Sequence, residues 1–308
     1  IFYYFPIFVF WDTLYRQKNN WFSKINSYSK VSDRENHDDE DPDFLTSAIP
    51  ENTPYIPYKP IRRSTEEIIN RSREYYELMA TRRTVRSFST EPIPQDVLDN
   101  IIKTAGTSPS GAHTEPWTFV AVQDPHMKLA IRHIVEEEEE ENYARRMSRQ
   151  WVTDLKPFAT NSTKPYLCDA PALILVFRQT HSFRSDGKKR MHYYSDISVA
   201  IAAGILLSAI HYCGLVALTS TPLNCNSRLR DLLSRPHNER LELLLPVGKP
   251  HDNTTVPDLR RKPLSEIMLN SRVCGTKNSD DNLVDNKIIT YGEKQFTKKK
   301  CVIYYVDS

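Results

Sequence analysis

The chain has 308 residues, 39% hydrophobic and 26% charged, enough for one substantial core or two small ones. A formal net charge of +2, with basic and acidic residues interspersed, excludes a dedicated nucleic-acid binder. Cys168, Cys213, Cys225, Cys274 and Cys301 are scattered, which excludes a zinc knuckle or a thioredoxin-type pair and predicts free thiols.

Residues 1–11 are almost wholly apolar and aromatic, too few for a span of about 20 residues. Because the sequence opens at Ile1, they are expected to be the remnant of a longer single-pass N-terminal membrane anchor. A signal-peptide remnant or a hydrophobic arm are the alternatives. Residues 12–60 are polar, with Pro42, Pro50, Pro54, Pro57 and Pro60. Proline fixes φ and removes a donor, so this stretch is expected to be a linker or extended arm. From Ser64 the pattern turns helical through Ile68, Ile69, Leu78 and Met79. Val97, Leu98, Ile101 and Ile102 give the buried stripe of a second helix starting near Pro94.

Trp117–Val122 reads as a strand and Met127–Arg149 as one long helix carrying an acidic run, Glu136 to Glu141. Leu173–Phe177 is fully apolar and predicts a central strand. Ile197–Tyr212 is apolar nearly all round and rich in small residues, which places a helix in a core or at a subunit interface. Leu215–Leu218 and Leu241–Val247 complete the strands. Residues 61–270 then form the catalytic domain, of α+β class. Residues 271–308 are an unassigned tail whose Lys, Asn and Asp content cannot bury much apolar surface and predicts disorder.

The chemistry concentrates in a few motifs. Arg82-Arg83-Thr84-Val85-Arg86 offers three guanidinium forks to a phosphate. Pro109-Ser110-Gly111-Ala112 follows, and a Ser-Gly turn supplies a hydroxyl and backbone N–H groups beside a flat ligand. Alone, the arginines read as a solvated helix end and Pro-Ser-Gly as an ordinary turn; together they read as a phosphate-and-ring cradle for a flavin. Glu139 and Tyr143 lie at i, i+4 on one helix face, with Lys164 a segment later. A carboxylate and an ammonium at opposite ends would pair with the two charges of an amino-acid zwitterion. The other glutamates of the run fit a solvated face. Thr219-Ser220-Thr221 follows a strand and precedes Pro222; a hydroxyl at flavin N5 can bias redox steps, although such clusters are commonly loops. No Rossmann or Walker glycine pattern occurs among the 8 glycines, and His113, His192, His211 and His237 are too dispersed for a metal site.

These residues carry a resemblance. Thr104 to Trp117, Glu136 to Tyr143, Trp151 to Lys156, Thr219 to Cys225 and Val256 to Leu264 make the chain similar to the nitroreductase superfamily of FMN enzymes, and within it to the iodotyrosine deiodinases. The resemblance implies a nitroreductase-like fold, with a mixed central sheet flanked by helices, and an arm-exchanged homodimer binding FMN. It implies that Arg82, Arg83, Thr84, Val85, Arg86, Ser110, Gly111, Thr219, Ser220, Thr221 and Arg261 hold the cofactor, with Thr221 at N5 as the catalytic residue. Arg260 and Lys262 are alternatives to Arg261. It implies that Ala112, Glu139, Tyr143 and Lys164 bind a halotyrosine, that Trp151 to Lys164 form a lid ordering on binding, and that a membrane anchor precedes a soluble catalytic domain. The implied reaction is reductive deiodination of mono- and diiodotyrosine. Electrons come from a separate reductase or from NADPH. A generic nitro- or quinone reductase and a non-catalytic flavin-binding module are the rival readings.

Overall fold

The computed structural model describes residues 47, 49–183, 187 and 189–269. The expected anchor remnant (1–11), most of the linker and the tail from 270 onward lie outside the described residues. Contacts divide the chain into two units after Thr255.

The described part of the first unit opens with an exposed segment, residues 50–63, whose one internal fixture is the Pro50–Thr53 turn (Thr53 N–H to Pro50 O, 3.0 Å). Helix α1, Thr65–Ala80, begins where Ser64 Oγ accepts from the Glu67 N–H at 3.1 Å, the Ser-x-x-Glu signature of a helix start. None of its residues is buried. Helix α2, Gln95–Gly106, starts after Pro94 and buries Leu98, Ile101 and Ala105, the stripe that the spacing predicts. Strand β1 spans Trp117–Val122. Helix α3, Pro125–Glu141, starts where the Asp124 carboxylate accepts from the Met127 N–H at 2.7 Å.

Here the expected single helix over 127–149 is corrected. After Glu141 the backbone makes one π turn, Asn142–Arg146, closed by the Met147 N–H to the Asn142 carbonyl at 2.8 Å. Met147 and Ser148 are extended, and Ser148 caps a new helix, α4, Arg149–Leu155, by accepting from the Trp151 N–H at 3.1 Å. A capping serine competes with continuation of the preceding helix, and no apolar stripe continues past Asn142 to override it. Helix α5 is Tyr166–Asp169, strand β2 Ala172–Gln179, and β3 (His181–Phe183) pairs with β4 (Lys189–Met191) as a small hairpin. Helix α6 is Ser195–Tyr212, β5 Val216–Ala217, α7 Asn226–Leu232 and β6 Glu239–Gly248.

The sheet order is β1-β2-β6-β5, with every strand pair antiparallel. An isolated parallel bridge, Thr84 to Ala217, brings the arginine segment onto the β5 edge and makes the sheet mixed. Strand β2 is the hinge of the packing. Ala172 to Phe177 are fully buried, and alternation splits them between two faces. Leu173, Leu175 and Phe177 pack in a cluster with Ile131 and Val135 of α3, Leu167 of α5 and Leu229 of α7. Ala172, Ile174 and Val176 pack in another with Leu98 and Ile101 of α2 and Val199, Leu206 and Ile210 of α6. The result is a helix–sheet–helix sandwich of α+β class. Helix α6 is long and apolar enough to cross a membrane by length and composition, yet Val199, Ala202, Leu206 and Ile210 sit in this core. Its Ile197 and Ile201 side, with Tyr194 just before it, stays exposed.

In the second unit, the described residues Val256–Leu269 carry one short helix, α8, Leu264–Ile267, following Pro263. Arg260, Arg261 and Lys262 are exposed, and Lys262 Nζ lies 4.0 Å from Glu266.

Candidate functional site

The arginine segment leaves α1 and is stitched to β5. The Val85 N–H donates to the Ala217 carbonyl at 3.3 Å, and the Val85 side chain is buried. This fixes the direction of its neighbours. Arg82 and Arg83 line a cleft floored by Leu207, Ile210, Leu215, Val216 and Ala217, with His211 at its side. His211 Nε2 lies 2.9 Å from both the Leu78 carbonyl and Thr81 Oγ1, tying the C-terminal turn of α1 to α6 beside the arginines. Arg86 turns elsewhere, with its guanidinium carbon 5.8 Å from the centre of the Phe158 ring. Two guanidinium groups side by side offer the donor chemistry that a phosphate requires, and FMN carries one.

The turn after α2 is strained. Ala112, His113 and Glu115 have positive φ of 49°, 52° and 44°, a conformation costing non-glycine residues on the order of 1 kcal/mol each. Ser110 holds the turn from within: its Oγ accepts from the Glu115 N–H at 3.0 Å, and its carbonyl from the His113 N–H at 3.1 Å. The Gly111 N–H reaches Ser198 Oγ of α6 at 3.5 Å. A Cβ at Gly111 would stand 2.5 Å from the Tyr193 carbonyl oxygen, so only glycine fits there. Ala112 is exposed at the tip. Thr219 and Thr221 are exposed on the segment leaving β5, while Ser220 is pinned by reciprocal bonds with Leu244 of β6 (3.1 and 2.9 Å).

The third cluster is the most informative. On α3, Ile131, Val135 and Glu139 are buried four residues apart, so Glu139 occupies a place on the apolar stripe where a hydrophobe belongs. Its carboxylate lies 3.1 Å from Lys164 Nζ and accepts from Asn142 Nδ2 at 3.2 Å. Glu139 and Lys164 are 8% and 5% exposed. Lys164 Nζ also donates to the Asn161 carbonyl and stands 5.3 Å above the Tyr143 ring. Glu139, Tyr143 and Lys164 thus meet, as expected. The expected separation of the two charges at opposite ends is not what is found: they face each other directly. Buried charges need partners, and here each is the other's. Burial first of all pushes the Tyr143 phenol above its usual range, against the lowering hydrogen bond from Thr160, so it is a neutral donor at pH 7.

The segment between Trp151 and Lys164 is α4, a 3-10 turn Lys156–Phe158, and a chain reversal at Ala159 (φ 49°). Its return is fastened where the Lys164 N–H donates to Glu136 at 2.5 Å. Glu137 and Glu138 pair with Arg228 and Arg146 at the surface (2.6 and 2.7 Å), the solvated face expected of them. Sequence reasoning gave no role to Asn142. The signal was present: an uncharged amide three residues after Glu139, on the buried side of a charged run. Arg261 belongs to the second unit, where it is exposed.

A nitroreductase family model matches residues 79–249. Iodotyrosine deiodinase 1 of Homo sapiens is 57% identical over 219 residues, covering 71% of this chain and 76% of that protein. Iodotyrosine deiodinase of Nematostella vectensis is 50% identical over 242 residues, covering 78% and 92%. A crystal structure of oxidized iodotyrosine deiodinase bound to FMN and 3-iodo-L-tyrosine is similar with a TM-score of 0.55 at 32% identity, over 65% of this chain and 100% of that one. A BluB-like flavoprotein from Clostridium difficile shares the fold alone, with a TM-score of 0.51 at 20% identity, over 64% and 98%. With its arginine segment, strained turn and buried Glu139–Lys164 pair on this fold, the chain belongs to the iodotyrosine deiodinase family of nitroreductase-like proteins.

Proposed function

We propose that this protein reductively deiodinates mono- and diiodotyrosine, using FMN and returning tyrosine and iodide. The observation that carries the reading is the buried Glu139–Tyr143–Lys164 cluster: a generic nitro- or quinone reductase has no use for a carboxylate and an ammonium placed together. In the reaction a carbon–iodine bond is replaced by carbon–hydrogen, two electrons and one proton are consumed, and iodide leaves. FMN, when bound, supplies the two electrons; a separate reductase or NADPH restores them.

Each residue then has a task. Arg82 and Arg83 would bind the phosphate and Arg86, turned toward Phe158, one ring edge, while Thr84 and Val85 hold the segment in place. Ser110, Gly111, Thr219 and Ser220 would border the ring, and the Thr221 hydroxyl would donate to N5. The Ala112 N–H donates to the substrate's phenolate oxygen. Glu139 accepts from the substrate's ammonium, Lys164 donates to its carboxylate, and the neutral Tyr143 hydroxyl completes the clamp. The segment from Trp151 to Lys164 excludes water.

The protein works as a homodimer in this reading. Support comes from α1, in which no residue is buried and Ile68, Ile69, Tyr75 and Tyr76 are exposed, and from the exposed Ile197 and Ile201 of α6 with Tyr194 just before it. Large apolar side chains left exposed on two helices are what an interaction site offers. The apolar composition of residues 1–11 supports a membrane anchor for the catalytic domain.

The test is anaerobic. Chemically reduced, FMN-loaded protein is mixed with mono- or diiodotyrosine, and iodide is measured. Stoichiometric iodide release is expected. A yellow protein that reduces nitroaromatics or quinones but leaves iodotyrosine intact would establish the generic reductase instead.

A further inference from the structure

Asn142 is the most thoroughly engaged polar side chain of the site, and it is fully buried. An amide has two donor hydrogens and an acceptor oxygen with two lone pairs. All four are used: Nδ2 donates to Glu139 Oε1 at 3.2 Å and to the Leu223 carbonyl at 3.5 Å. Its Oδ1 accepts from Arg146 Nη1 at 3.2 Å and from Asn224 Nδ2 at 3.1 Å. A flipped amide would set oxygen against a carboxylate and a carbonyl, so this orientation alone satisfies its neighbours. Its backbone carbonyl also accepts the Met147 N–H that closes the π turn. One residue therefore touches the carboxylate of the buried pair, the turn that launches α4, and the 219–224 segment carrying Thr221.

We propose that Asn142 is a positioning residue that couples the substrate clamp to the Thr221 segment, so that closing the clamp on a halotyrosine sets the segment beneath it. This rests on the reading of Glu139 as the residue that accepts the substrate's ammonium. Two features make the coupling specific. Asn142 holds Glu139 Oε1, whereas Lys164 is on Oε2; a substrate that draws Lys164 away leaves the carboxylate still aimed. And Asn142 grips the 219–224 segment twice, at Leu223 and Asn224, so the aimed carboxylate and that segment are held by one amide.

The experiment uses FMN-loaded protein and 3-iodotyrosine. Asn142→Asp keeps the shape and exchanges the two donor hydrogens for a carboxylate oxygen set against the Glu139 carboxylate, a like-charge contact. The iodotyrosine dissociation constant, measured by calorimetry, is expected to rise roughly tenfold or more, the consequence of an unmatched buried polar group, while FMN affinity changes little. Hydrogen exchange supplies the readout that a purely structural role would not move. In the parent protein, iodotyrosine slows exchange both in 148–164 and in 219–225; in the variant it slows only 148–164. Asn224→Gly is the second variant. Asn224 has φ of 63°, where glycine is unstrained, so one link is cut with the backbone kept, and partial loss of protection in 219–225 is expected at an unchanged melting temperature. If Asn142→Asp does not fold, Asn224→Gly decides alone. Variants that bind iodotyrosine like the parent and keep protection in both segments overturn the proposal and leave the functional reading standing. A parent protein that binds no iodotyrosine removes both.

Discussion

Replacing Lys164 by Met, Glu139 by Gln, and both together forms a thermodynamic cycle around the buried pair. The side chains are 6% and 10% exposed and their charged atoms lie 3.1 Å apart. With an effective dielectric of about 20 the attraction is about 5 kcal/mol, most of it offset by desolvation of two ions. Removing one partner strands the other, which costs about 3–5 kcal/mol for a buried pair. At Glu139 the Asn142 amide remains as a second partner, so about 3 kcal/mol is expected for each single change. The double variant strands nothing and should lie within about 1 kcal/mol of the parent, giving an interaction energy of about 5 kcal/mol. Urea unfolding of the FMN-loaded protein measures all four corners. Iodotyrosine binding behaves differently: each charge takes one end of the amino acid, so either single change should weaken it by about 2–5 kcal/mol, with FMN affinity nearly constant. Additive stability losses together with an unchanged iodotyrosine dissociation constant would refute the pairing and the clamp alike.

Other expectations follow from neighbouring features. Gly111→Ala forces a Cβ against the Tyr193 carbonyl oxygen; a stability loss of about 1–3 kcal/mol and weakened FMN binding should appear in thermal melts and flavin fluorescence titration, and an unchanged pair of values would show that the turn gives way freely. Thr221→Ala should keep FMN bound, slow deiodination, and spare nitro-group reduction; equal effects on both activities would return Thr219 to Thr221 to the status of a simple connection. Burial pushes the Cys225 thiol up to about 12 from 9.0, so at pH 8 a thiol reagent should label exposed Cys213 and leave Cys225 untouched until denaturant is added. Because the folded state holds the Cys225 proton more tightly than the unfolded state, its contribution to stability is complete below pH 9.0 and is lost as pH rises toward about 12; a Cys225→Ala variant should show a flatter alkaline unfolding profile. Residues 60–270 alone should elute as a yellow dimer with one FMN per subunit, and a colourless monomer would contradict the interface argued from α1 and α6.

The sandwich was legible because its elements obey simple periods. The apolar run Leu173–Phe177 predicts a strand buried on both faces, and that is how β2 packs; Leu98 and Ile101 predict the inward stripe of α2. The π turn was not legible, since the charged stretch from Glu136 to Arg149 has no apolar rhythm by which to see a change of pitch. The β3–β4 hairpin was missed for a related reason: His181–Phe183 and Lys189–Met191 are too short and too polar to alternate visibly. At the site, residue types were legible and mutual distances were not. Glu139 and Lys164 are separated by 25 positions, and only the reversal through α4 and Ala159 brings them into contact.

The π turn also bears on how this site changes over time. A π turn holds one residue more than the α-helical turn it replaces. Removing a residue from Asn142–Arg146 would let α3 continue in register and rotate everything beyond it by about 100°, with a retreat of about 1.5 Å along the axis. Helix α4 would leave in another direction, and the return path to Lys164 would no longer end beside Glu139. No substitution at a contacting residue is needed for that outcome. Sequences in this family that gain or lose one position here are therefore expected to differ in what they accept, even where every clamp residue is retained.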